Sequence, residues 1–174
     1  MISVRKPWPV VFVLAACSSS APATDGGSGG DAASPEGGSF DGKNACKNLP
    51  NTATEITAMG SAAAAPAMTG GTLVDGTYFL TSRTKYGDAG WGGWKVKERL
   101  DVMNGGRYLS YVTTQAPNPE IRGGLDASSS SNDLTLDGVC ADYTGQHLTM
   151  KYTATPTTFS ALESNGKLSV YTKN

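Results

Sequence analysis

From residue 77 to the C-terminus, apolar side chains recur at alternate positions in short runs rich in Thr, Tyr, Val and Leu, and Gly, Asn and Pro break the runs apart. A period of two puts alternate side chains on opposite faces of a strand, and no stretch keeps a helical period beyond a turn or two. Asn104-Gly105 lies between the runs 95–103 and 106–114. Asn-Gly is a strong signal for a tight hairpin, because both central residues take positive φ. A two-residue turn there pairs Val102 with Arg107, Leu100 with Leu109, Glu98 with Tyr111 and Val96 with Thr113, and leaves Lys95, Lys97, Arg99 and Asp101 on the opposite face. Asn165-Gly166 in the same way pairs Glu163 with Leu168, Ala161 with Val170 and Phe159 with Thr172.

Four more runs complete the pattern. The run 77–86 places Tyr78 and Leu80 on one face and Phe79 with Arg83 on the other, and 133–140 brings Leu134, Leu136 and Cys140 together. The run 147–155 alternates through Leu148, Met150 and Tyr152, and 120–127, flanked by Pro117 and Pro119, suits an edge or a bulge. Consecutive antiparallel runs with short connections make an all-β meander, and about eight such strands close into an up-and-down barrel that leaves no exposed edge. Residues 45–71 read as an arm against this domain, with Ala62-Ala63-Ala64-Ala65 as a single helical turn stopped by Pro66.

The chain before the arm carries a different signal. Arg5 and Lys6 precede an apolar run from Trp8 to Ala16, too short to span a bilayer, and the run ends on small residues. Leu14-Ala15-Ala16-Cys17 resembles the lipobox of bacterial lipoproteins. The resemblance implies a signal peptide at 1–16, a lipid anchor on Cys17 and, with the non-acidic Ser18 after it, sorting to the outer membrane. Residues 17–44 are then the lipidated N-terminus and a linker of Gly, Ser, Ala, Asp and Pro, whose 27 residues after the cysteine span roughly 30 Å as a flexible coil. Gly26-Gly27-Ser28-Gly29-Gly30 matches the hydrolase pattern G-x-S-x-G, but no strand precedes it and no helix follows, so it carries no nucleophile.

Charge and cysteine content narrow the partners. Residues 46–174 carry eleven basic and eleven acidic side chains, which argues against nucleic acid or an anionic surface as partner, since such partners select a clustered basic face. With Cys17 assigned to the lipid, Cys46 and Cys140 remain as an even pair in an oxidising compartment and are expected to form a disulfide. His147 is the single histidine, and no ligand spacing suggests a metal site or a cofactor.

The opening Gly70-Gly71-Thr72-Leu73-Val74-Asp75-Gly76-Thr77-Tyr78-Phe79-Leu80-Thr81, with Gly92-Gly93-Trp94 as a G-x-W motif, resembles lipocalin-like barrel domains. Here that motif follows the first strand instead of leading into it, so no family binding residues carry over. With no Ser/His/Asp set, metal ligands or phosphate loop, the reading is not an enzyme but an envelope lipoprotein acting as a structural or protein-interaction module. The alternative is a binding module for a small apolar or lipid-like ligand inside the barrel. Glu98, Tyr111 and Arg107, polar groups on an otherwise apolar face, are its candidate ligand contacts, with Trp91 and Trp94 of the glycine-rich loop at its mouth.

Overall fold

The computed structural model describes residues 49–174; the expected signal peptide, Cys17, the linker and Cys46 lie outside the described residues. Two short strands, β1 (Ile56–Thr57) and β2 (Met59–Ser61), precede eight longer ones. These are β3 (Gly76–Tyr86), β4 (Lys95–Met103), β5 (Tyr108–Thr114), β6 (Ile121–Ser130), β7 (Asp133–Ala141), β8 (His147–Ala154), β9 (Thr158–Leu162) and β10 (Lys167–Lys173). Each pairs antiparallel with the next and β10 returns to β3, giving an up-and-down, lipocalin-like barrel of eight strands. Closure hydrogen-bonds both edges of every barrel strand, including β6; of the edge or bulge that the flanking prolines suit, β6 is no edge, and its ladder with β7 carries a bulge. Tyr78, Leu80, Leu100, Val102, Leu109, Leu134, Leu136, Tyr152 and Phe159 are buried together inside, as the alternation requires.

The barrel wall is split at one end. β3 and β4 pair only from Gly76↔Val102 to Phe79↔Arg99, and beyond that point they part. The arm fills the gap: β1 pairs antiparallel with β4 at Ile56↔Val96, and β2 pairs parallel with β3 at Met59↔Thr84. These strands form where the sequence pattern gave no order signal, because the splayed edges of β3 and β4 supply backbone partners that local propensity cannot reveal. Ala58, between them, is fully buried, and it exchanges backbone hydrogen bonds with Trp94 and Gly93 at 3.0 and 2.8 Å. The expected helical turn at 62–65 is absent.

The opposite end is closed by segment 68–75. Gly70 bridges to Thr153, the Tyr78 hydroxyl donates to the Val74 carbonyl and the Tyr152 hydroxyl to that of Gly71, each at 2.7 Å. Two buried phenols thus satisfy the backbone of the plug from inside the barrel.

Three departures from the expected register decide which side chains face inward. The first hairpin turns one residue late: Arg107 N–H donates to the Asn104 carbonyl at 3.4 Å, and Gly105 and Gly106, with φ of 67° and 85°, form the central pair. Gly106 also passes so close to Leu73 that a side chain there would collide. The ladder shifts by two, so faces are kept but partners change: Glu98 lies opposite Thr113 and Leu100 opposite Tyr111. The second hairpin slips by one. Only Gly166 takes positive φ there, and the Gly166 and Glu163 N–H groups donate to Glu163 and Lys167 carbonyls, so the loop has three residues and ends on a glycine bulge. Phe159 therefore faces Tyr171 and Ala161 faces Ser169, which turns those two residues of β10 inward in place of Thr172 and Val170.

The third departure is a pair of bulges. Val170 pairs with Ser82 but Tyr171 with Leu80, leaving Thr81 extra, so Arg83 falls on the inner face with Tyr78 and Leu80 and not with Phe79. On β7, Gly124 pairs with Cys140 but Leu125 with Gly138, leaving Val139 extra. Cys140 is thereby taken off the face of Leu134 and Leu136 and joins the outer row of Gly124 and Ser110.

Candidate functional site

The inward turn of Arg83, Ser169 and Tyr171 builds a polar cluster around Glu98. Arg83 Nη2 donates to Glu98 Oε2 at 2.7 Å, Arg83 Nε donates to Ser169 Oγ at 3.1 Å, and the Tyr171 hydroxyl donates to Glu98 Oε1. Glu98 has no exposed surface and Arg83 is 8% exposed. Both carboxylate oxygens are thus engaged, as a buried acid requires. The ion pair crosses the split wall, since Arg83 and Glu98 stand on β3 and β4 beyond the last paired residues of those strands.

Electrostatics follow the geometry. Burial alone would lower the Arg83 pKa, but the Glu98 charge and hydrogen bond, together with the Tyr171 and Tyr111 phenols, more than reverse it and the guanidinium stays protonated. Burial pushes the Tyr111 and Tyr171 phenols well above their ordinary value, and Glu98 adds to the shift. Tyr143 is raised by burial too, partly offset by its hydrogen bond with Tyr111.

Beside the cluster lies a cavity of about 130 Å³, lined on its apolar side by Leu136, Leu148, Met150 and Phe159. The loop after β7 roofs it. Tyr143 packs edge-on against Tyr111 with centroids 5.5 Å apart, over Gly123 and Gly138, where any Cβ would strike Tyr143. At the rim Lys167 pairs with Glu163 at 2.6 Å.

Of the five predicted contacts, Glu98 and Tyr111 line this cavity, and Arg83 and Tyr171 hold the Glu98 carboxylate. Arg107 does not reach it. The late turn places Arg107 at the plugged end, 3.6 Å from Asp126 and 5.3 Å over the Tyr108 ring, beside an open groove. Trp91 and Trp94 meet edge-on at 4.4 Å and pack half-buried against the core, outside the cavity lining. Sequence reasoning missed Arg83, Ser169, Tyr171 and Tyr143. A signal existed only for the last: two glycines inside strands mark a close approach by another group.

Among the described residues no group of three or more His, Cys, Asp or Glu side chains is placed to hold a metal, and no helix is long and apolar enough to cross a membrane. Comparison of the chain with protein-family models, with curated proteins and with solved structures returns no match in any of the three.

Glu98→Gln removes the charge that compensates Arg83 and is expected to cost about 3 to 5 kcal/mol of stability, measured by denaturant unfolding. Alkaline titration tests the phenols. Their pKa values are raised in the fold, so their contribution is intact below about pH 10 and is lost as pH rises above it, at up to about 1.4 kcal/mol per pH unit for each group. Tyrosinate absorbance should show Tyr111 and Tyr171 ionising only together with unfolding.

Proposed function

We propose that the protein is an exported lipoprotein of the cell envelope, anchored at the outer membrane through Cys17, whose barrel is a non-catalytic structural or protein-interaction module. One observation carries the reading of the barrel: both oxygens of its fully buried carboxylate are already engaged. Glu98 is held by Arg83 and Tyr171 and so is not free to serve as an acid or base toward a substrate. The balanced charge of residues 46–174 speaks against nucleic acid or an anionic surface as the partner of the barrel.

A second reading, a small-ligand binding module, is supported by the roofed cavity. At about 130 Å³ it is smaller than the roughly 300 to 1,000 Å³ usual for ligand pockets, which favours something far smaller than a lipid.

The Cys46 to Cys140 disulfide belongs to the same proposal, and the course of the arm supports it. Arg99 Nη1 donates to the Pro50 carbonyl at 3.3 Å and Arg122 Nη1 to that of Leu49, which lays residues 49–50 across the outer faces of β4 and β6. Cys140 is in the neighbouring outer row, about 7 Å along the strands, and the three residues from Cys46 to Leu49 reach about 10 Å. Closing about 95 residues stabilises by roughly 4 to 5 kcal/mol in the chain-entropy model.

In a host that processes lipoproteins, the native chain should remain in the membrane fraction after a salt wash, whereas Cys17→Ser should become soluble or stay unprocessed. Membrane retention of that variant would sink the anchor assignment. Thiol labelling of unfolded, unreduced protein should find neither Cys46 nor Cys140 reactive, and two reactive thiols per chain would rule the bridge out.

A further inference from the structure

We propose that the cavity under Tyr143 is a binding site for an uncharged, single-ring molecule carrying one hydrogen-bond acceptor. The inference rests on the small-ligand reading of the barrel and is independent of the lipid anchor. Size sets the first limit: about 130 Å³ is close to the roughly 150 Å³ apolar cavity known to accept benzene, and well short of space for a fatty chain. The walls set the second. Leu136, Leu148, Met150 and Phe159 offer apolar and polarisable surface to a ring, and the phenols of Tyr111 and Tyr171 border the same space.

Charge sets the third limit. Arg83 and Glu98 neutralise each other, as do Lys167 and Glu163 at the rim, so a charged ligand would lose its hydration and gain no counter-charge. A polar anchor nonetheless exists. Arg83 uses Nε on Ser169 and Nη2 on Glu98, while Nη1 takes no partner among the described residues, and Arg83 lines the cavity. A guanidinium only donates, so the matching group on the ligand is an oxygen acceptor, a hydroxyl or carbonyl on the ring. The roof also fits this purpose. Gly123 and Gly138 both leave out the side chain that would collide with Tyr143, and Gly145, with φ of 73°, sits in the same loop. The aromatic lid therefore lies directly on the cavity, and backbone hydrogen bonds from Asp142 to Arg122 and from Gly138 to Gln146 hold its loop to β6 and β7.

The test uses the full chain, phenol as the neutral probe and benzoate as its charged counterpart, followed by amide and methyl NMR. Phenol should shift the signals of Met150, Leu148 and Ala161 saturably and raise the melting temperature, with benzoate at least tenfold weaker. Ala161→Leu, which fills the cavity from β9, should abolish the phenol shifts while near-UV circular dichroism stays native. Unmoved lining signals at millimolar phenol would overturn the proposal, as would equal binding of benzoate. If Ala161→Leu does not fold, the phenol and benzoate titrations of the native chain decide alone. Their failure leaves the anchor assignment untouched, because membrane fractionation reads that separately.

Discussion

The barrel depends on one ion pair that does the work of a missing stretch of sheet. Above Phe79 and Arg99 the β3 and β4 backbones no longer bond to each other, and the arm strands occupy the space between them. Arg83 and Glu98 reach across that seam from the inner face and join the two strands by a charge-assisted hydrogen bond of 2.7 Å. Removing two charges from water costs several kcal/mol, and such a pair is retained only where its remaining groups are satisfied as well. Ser169 and Tyr171 supply that satisfaction from β10. The pair therefore couples β3, β4 and β10, and each of these strands must hold its register for the others to be satisfied.

That coupling gives the barrel two unlike ends. At the plugged end, phenols from inside bond to the carbonyls of segment 68–75, and the interior is filled by side chains. At the seam end, Arg83 and Glu98 form a polar floor to the cavity that Leu148, Met150 and Phe159 also line, and the arm strands stand between β3 and β4. The cavity is what remains between that floor and the Tyr143 roof. Fold and site thus have the same origin, because the splay that admits the arm also calls for the buried pair.

Much of the architecture was legible because alternation and turn residues are local properties. The eight runs, their order and the inward position of Glu98 can be read from a period of two and from glycine-containing turns. What could not be read was set by single extra residues. One bulge at Thr81 reverses the faces of β3 and brings Arg83 inside, and one at Val139 takes Cys140 outside. Neither position carries a distinctive residue type. The slip at Asn165-Gly166 arose because that dipeptide serves a glycine-bulge loop as readily as a two-residue turn, and the choice was settled by the need to turn Tyr171 toward Glu98. The arm strands were invisible because their partners exist only once β3 and β4 have parted.

A double-mutant cycle on Arg83→Met and Glu98→Leu measures the central claim most directly. Each single replacement leaves an uncompensated buried charge, and the double replacement removes both. The account predicts losses of about 3 to 5 kcal/mol for each single variant and a double variant whose loss falls short of their sum by at least about 2 kcal/mol. Losses that add to within about 0.5 kcal/mol would contradict it.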